Sequence, residues 1–273
     1  MELLGAVCVV TGSASGIGRA TAIALARAGS DVVVPDIDVA GAEATAREIE
    51  ATGRRALPLR VDMTDREEVE GLVGRAIAWQ GHCEVFVSNV GVGCAGAPHE
   101  FSFEQWKYLI DINLWSAIWP LRHVVPHMVE RGRGHLVFVT SGAGLEGQAD
   151  RAPYNVAKFG IVGLAESVAR YLGPLGVDVS LVVPGAVATD GWKLCVFADD
   201  IDRDEAERKR AELQSESSRW PTPESMASAI IDGIREQRYA IIQHNPHQPG
   251  WFADILERKA RDPDGFVLGR SAP

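Results

Sequence analysis

Six times between Ala6 and Val183 the chain begins a short apolar run, and each of the first five leads into a stretch with helical spacing. The apolar runs cover 6–11, 31–36, 56–61, 84–88, 134–141 and 177–183, and the intervening helical stretches cover 17–28, 39–52, 65–80, 103–131 and 152–172. A sixth helical stretch at 224–235 is followed by a seventh apolar run at 239–243. Runs such as Ala-Val-Cys-Val-Val-Thr lack polar alternation, which is how strands buried on both faces read. Strict strand–helix alternation predicts a parallel, doubly wound sheet with right-handed crossovers, layered α/β/α. In such sheets ligands bind beyond the carboxyl ends of the strands. Within 103–131, Pro120 and Pro126 are expected to kink or break the helix.

At 273 residues, with 46% hydrophobic and 23% charged residues, the chain has ordinary globular composition and suits one large domain, with 244–273 as a tail. A net charge of −10 speaks against a nucleic-acid partner. No apolar run reaches the length of a membrane span, and the N-terminus has no basic region ahead of an apolar one, so no signal peptide is expected. Cys8, Cys83, Cys94 and Cys195 form no C-x-x-C pair, and reduced thiols in a cytoplasmic protein follow. His244 and His247 have no acidic or thiol cluster beside them, so no metal is expected.

Directly after the first strand comes Gly12-Ser-Ala-Ser15-Gly16-Ile17-Gly18, which opens the first helix. Strand, glycine turn and helix are the context a dinucleotide needs. The glycines allow close backbone approach, and the helix N-terminus offers N–H groups to a pyrophosphate. Asp36 ends the second strand 18 residues after Gly18, where a carboxylate binds the adenosine ribose diol and repels a 2′-phosphate. Ile37 and Asp38 add no basic residue, so NAD is expected over NADP. Pro35 beside Asp36 removes one ladder N–H from its strand.

Tyr154 and Lys158 stand one helical turn apart, with Ser141 thirteen residues before the tyrosine. A free phenol titrates near ~10, and an ammonium one turn away is expected to draw it down. With a serine hydroxyl to hold an alcohol or carbonyl oxygen, the three make a device for moving a proton on or off a C–O group.

The ordered set Thr11–Gly18, Asp62, Asn89-Val90-Gly91, Asn113, Ser141, Tyr154-x-x-x-Lys158 and Pro184-Gly185 resembles the short-chain dehydrogenases/reductases, over roughly two-thirds of the chain. The resemblance implies a Rossmann-type sheet of about seven strands. It makes Tyr154 the catalytic acid/base, Lys158 its partner on the nicotinamide ribose, and Ser141 the substrate-orienting hydroxyl. Asn113 would hold a relay water. Asp62 and Met63 would meet the adenine, and Asn89, Val90 and Gly91 would line the adenosine side. Pro184, Gly185, Val187 and Thr189 would grip the nicotinamide end. The family's Asn-Asn-Ala-Gly reads Ser88-Asn89-Val90-Gly91 here, for which packing has to adjust.

The resemblance also implies a lid over 186–221, whose charged run 199–212 reads as a solvated helix, and a homo-oligomer, dimer or tetramer. Val92, Leu145, Trp192 and Leu194 suggest an apolar pocket for a hydrophobic secondary alcohol, ketone, steroid or cyclic substrate, while Cys94 has no catalytic role. The rival readings are an NADPH-dependent β-ketoacyl-carrier-protein reductase and a dinucleotide-sensing protein without turnover. Asp36 opposes the first, and the intact Tyr154/Lys158 pair opposes the second.

Overall fold

The computed structural model describes residues 1–217 and 219–242, all within one compact unit. The tail expected over 244–273 lies outside the described residues. Among them seven parallel strands form the sheet β3-β2-β1-β4-β6-β7-β9. They are β1 (Val7–Val10), β2 (Asp31–Asp36), β3 (Ala56–Arg60), β4 (Val85–Ser88), β6 (Gly134–Val139), β7 (Val177–Val183) and β9 (Ala240–Ile242). The helices are α1 (Gly16–Arg27), α2 (Val39–Glu50), α3 (Arg66–Gln80), α4 (Phe103–Ile110), α5 (Ser116–Ile118), α6 (Leu121–Glu130), α7 (Ala152–Leu172), α8 (Arg203–Ser217) and α9 (Pro223–Arg235).

Strand order reverses at β1, which pairs with β2 through Val9↔Val33 and with β4 through Val9↔Phe86. That reversal is the topological switch point, where a crevice opens above the carboxyl ends. One core cluster joins β-strand residues Cys8, Val10, Val32, Val85 and Val137 to Leu25 of α1 and Ile230 and Ile234 of α9. It makes the strand ends a rigid platform. No helix among the described residues is long and apolar enough to cross a membrane, and none of their His, Cys, Asp and Glu side chains cluster to hold a metal.

The stretch 103–131 divides. α4 runs into a π-helical segment, Asp111–Trp115, then α5, with the break at Trp119-Pro120. Pro126 sits inside α6 without ending it, and the carbonyl it leaves unpaired belongs to exposed Arg122, within reach of water. Pro35 disturbs less than its sequence suggests. It stays in register with Leu59, and its carbonyl accepts from Gly12 N at 3.1 Å. The N–H it lacks falls opposite Val10, the last residue of β1, just past the final registered pair Val9↔Val33. Two pieces were too short to read from the sequence. They are β5 (Cys94–Ala95) and β8 (Val196–Phe197), which pair in parallel through Cys94↔Val196. The charged helix α8 begins at Arg203 and buries Ala206 alone among its residues, so it is a solvated helix.

Candidate functional site

The glycine turn folds as a cradle against its neighbours. Ser15 caps α1 with extended backbone and its exposed hydroxyl bonds nothing in the helix, whose first turn carries no acid. The positive end of α1 is thus open. Gly16 and Ile17 begin the helix, and a Cβ on Gly16 would stand 3.2 Å from Thr189 Cγ2. The loop after β7 therefore closes on the turn. Asn89 ties in the loop after β4, its Nδ2 donating to Thr11 O at 2.9 Å. Val90 packs over Gly12, which absorbs the departure in that loop.

Gly18 has no room for a side chain, because a Cβ there would overlap the Gly12 carbonyl and come within 2.6 Å of Asn89 Nδ2. Gly18→Ala is expected to cost about 1–3 kcal/mol of stability by overpacking and to weaken dinucleotide binding at least as much. A thermal melt with and without NAD checks this, and an unmoved melt with full NAD stabilisation would contradict it.

Asp36 is half-buried and holds the turn directly. Its Oδ2 accepts from Ala14 N at 2.8 Å and its Oδ1 from Asp38 N at 3.0 Å. Ile37 beside it is 58% exposed. Asp62 turns the chain after β3, its Oδ1 accepting from Thr64 N at 2.9 Å, and Met63 is buried.

The second group of residues gathers beyond β4 and β6. Ser141 hydrogen-bonds the Tyr154 hydroxyl and also caps its own 3-10 turn, accepting from Ala143 N at 3.2 Å. Gly142 N donates to Pro184 O at 3.1 Å, which brings Pro184 and Gly185 beside Ser141. Val187 is buried two residues on. Tyr154 and Lys158 sit in the first two turns of α7 as their spacing predicts, with Lys158 Nζ 5.6 Å from the Tyr154 ring centroid.

Lys158 is buried and donates to Val139 O at 3.1 Å. Asn113 bridges the Val92 backbone, Oδ1 accepting from its N–H at 3.0 Å and Nδ2 donating to its carbonyl at 2.9 Å. Gly91 lies between the two polar groups, since a Cβ there would meet Asn113 Oδ1 at 3.0 Å and Lys158 Nζ at 3.1 Å. Ser141, Tyr154, Lys158 and Asn113 thus converge at the ends of two neighbouring strands.

The electrostatics differ from the sequence expectation in one respect. Burial pushes the Tyr154 phenol above its ordinary value, against the Ser141 hydrogen bond and the Arg151 charge. The Lys158 ammonium contributes no resolved lowering, and burial brings its own pKa down to about 8. Desolvation disfavours both charged forms here and outweighs their mutual attraction.

A family model for short chain dehydrogenases matches residues 6–195. The chain belongs to this family. It is 40% identical over 184 residues to the cis-4-hydroxycyclohexanecarboxylate dehydrogenase of Sinomonas cyclohexanicum, covering 67% of this chain and 74% of the relative. Against a subunit of (2S)-((R)-hydroxy(phenyl)methyl)succinyl-CoA dehydrogenase from Thauera aromatica it is 37% identical, covering 70% and 77%. A 3-oxoacyl-acyl-carrier-protein reductase of Thermotoga maritima is 30% identical, covering 69% and 77%. Among solved structures, a short-chain dehydrogenase/reductase of Burkholderia phymatum in complex with NAD superposes with a TM-score of 0.87 at 25% identity, covering 100% and 99%. A metagenomic short-chain oxidoreductase in complex with NADP gives 0.72 at 30%, covering 89% and 98%. Members of the family are oxidoreductases that act on alcohols or ketones with a nicotinamide dinucleotide.

In this short-chain dehydrogenase the rim of the site departs from the apolar wall the sequence suggests. Leu145 and Val92 are buried and Trp192 is half-buried, but Leu194 is 65% exposed. The 3-10 turn Asp190–Leu194, capped by Thr189, turns Leu194 outward and leaves Cys195 as the buried residue. Cys94 is buried under α7, where the Tyr154 backbone N–H points at its sulfur and burial raises its thiol to about 11. It stays protonated at neutral pH and is no nucleophile. Arg151, which the sequence reading passed over, is the N-cap of α7 and lies close enough to act electrostatically on Tyr154, Cys94 and Cys195. Its position just ahead of the Tyr154 helix was the available signal.

Proposed function

We propose that this protein is an NAD-dependent dehydrogenase/reductase that interconverts a secondary alcohol, largely hydrophobic, and its ketone. The observation that carries the reading is the convergence of Ser141, Tyr154, Lys158 and Asn113 beside a glycine cradle whose adenosine corner is guarded by Asp36. The residues present fit a nicotinamide dinucleotide. The open end of α1 suits the pyrophosphate, Asp36 the ribose diol, Asp62 and Met63 the adenine, and Pro184, Gly185, Val187 and Thr189 the nicotinamide half. When bound, the nicotinamide supplies the hydride acceptor or donor.

The chain's own residues do the rest. Ser141 holds the substrate oxygen, Tyr154 takes or returns its proton, and Lys158 holds the cofactor ribose. Asn113 fixes the loop at Val92 and the water through which the proton reaches solvent. Trp192 and Leu145 bound the substrate space. A homo-oligomer, dimer or tetramer, and a cytoplasmic location belong to the same reading. Exposed Phe103, Trp115 and Val156 support the first, and four unpaired thiols support the second.

The deciding experiment follows reduced-nicotinamide absorbance with NAD and NADP in parallel against a panel of hydrophobic secondary alcohols. Turnover with NAD supports the proposal. Turnover with NADP alone would overturn the role of Asp36 and favour the carrier-protein reductase reading. NAD binding without turnover on any alcohol would favour a sensor.

A pH dependence follows from the site. A full unit below the Lys158 pKa of about 8 the ammonium keeps its charge, so between about pH 5 and 7 the slope belongs to Tyr154. Its phenol is raised, and each step up in pH yields more phenolate. Alcohol oxidation should therefore rise across this window and carbonyl reduction should not. An oxidation rate that falls from pH 5 to 7 would remove Tyr154 as the base.

A further inference from the structure

The region around Tyr154 carries more positive charge than proton transfer needs. Arg151 stands three residues before Tyr154 at the start of α7. Its segment is pinned by Gly96 N donating to Asp150 O at 2.9 Å, next to the β5–β8 pair. Its guanidinium lies where Tyr154, Cys94 and Cys195 all feel its charge. The side chain is 38% exposed, and its one ion-pair partner among the described residues is Asp150 Oδ1 at 3.8 Å, on a side chain that is itself 58% exposed. That contact is too long for a hydrogen bond, so the donor fork of Arg151 remains available.

A second guanidinium, on α8, also acts on Cys195. Arg210 Nη2 donates to Cys195 O at 3.4 Å, and its carbon lies 4.8 Å from the Phe197 ring centroid. Its Nε is buried without a partner among the described residues. Lys209 also acts on Cys195, but Glu205 already pairs with it at 3.6 Å. In a chain of net charge −10, two arginines with spare donors flanking one corner of the site mark a place for an anion.

We propose that Arg151 binds a carboxylate on the substrate, so that the alcohol is a hydroxy acid and the ketone the corresponding oxo acid, with Arg210 adding charge from α8. This rests on the oxidoreductase reading and narrows its substrate. The carboxylate is a handle and changes no bond. At the carbinol the C–H and O–H bonds break, the hydride leaves to the nicotinamide already named, the proton goes to Tyr154, and a C=O bond forms. Reduction reverses each of these. An apolar body against Leu145, Val92 and Trp192 and a carboxylate at Arg151 would fix which face of the carbinol the site presents.

The test compares a cyclic hydroxy acid with its methyl ester, with NAD in excess, in the wild type, Arg151→Gln and Arg151→Lys. Any change in Tyr154 acidity alters both substrates alike, so their ratio isolates the carboxylate contact. The wild type should prefer the acid. Arg151→Gln should raise KM for the acid by about 10- to 100-fold, the value of a charge-assisted hydrogen bond, with a smaller change for the ester. Arg151→Lys should restore part of the preference.

Equal losses on both substrates, or a wild type that prefers the ester, would overturn the carboxylate role while leaving the oxidoreductase reading intact. If neither compound turns over, the oxidoreductase reading fails for these alcohols, and calorimetric titration of the NAD-loaded protein with benzoate and benzamide decides the matter of Arg151. Benzoate binding that is tighter than benzamide binding and lost in Arg151→Gln supports the site. Equal binding, or benzoate binding that survives the substitution, overturns it.

Discussion

Tyr154→Phe is expected to lower turnover by about 10²- to 10⁴-fold in both directions while NAD affinity changes only a few-fold, the range a positioned acid/base contributes. The substitution removes one oxygen from a half-buried ring. The ring still packs where it did, and Lys158 keeps its bond to Val139 O. What disappears is the phenol that is hydrogen-bonded to Ser141. Loss of the proton carrier appears in kcat, and loss of a binding surface would appear in KM, so steady-state kinetics separate the two. Retention of more than about a tenth of wild-type kcat, against an expectation of at least 10²-fold, would show that another group moves the proton. A matched thermal melt excludes misfolding as the cause.

The second large effect is expected at the adenosine corner. Asp36→Ala combined with Ile37→Arg should shift the ratio of NAD to NADP efficiency toward NADP by about 10²- to 10³-fold. Losing a carboxylate that opposes the 2′-phosphate and gaining a guanidinium that pairs with it are each worth about tenfold or more. Ile37 is already exposed, so an arginine there costs no buried contact. Absolute efficiency should fall with both cofactors, because Asp36 also accepts the Ala14 N–H and its loss loosens the turn. The ratio is therefore the informative quantity, and an unchanged ratio would sink the ribose-binding role of Asp36.

Much of the fold could be read directly because its strands are buried on both faces, and continuous apolar runs are hard to mistake when helices separate them. The pairings that escaped, Cys94↔Val196 and Ala95↔Phe197, involve strands of two residues each, below any period that a pattern can express. Residues of the candidate site stood out where spacing carries the chemistry, as in Tyr154 and Lys158. They did not stand out where the partner is distant in sequence. Arg151 becomes notable only when β5 and the segment after β7 fold over it. The expectation for the tyrosine's acidity failed for a related reason. Spacing places the ammonium, but depth of burial sets the pKa, and one strand-end residue looks much like another until the surrounding layers are in place. Leu194 shows the converse, an apolar residue that a local 3-10 turn carries to the surface.

The π-helical segment at Asp111–Trp115 has a consequence for how the helix could be edited. It is one residue of slack wound into an otherwise regular rod, and Asn113 uses it. Its side chain reaches back to Leu109 O at 2.9 Å and sideways to Val92 at the same time. Cutting Asp111 out would let the rod close into plain α-helix and would rotate Asn113 by about 100° relative to α4. The shortened helix would be more regular than the original, with its amide swung away from the loop at Val92 that it now braces.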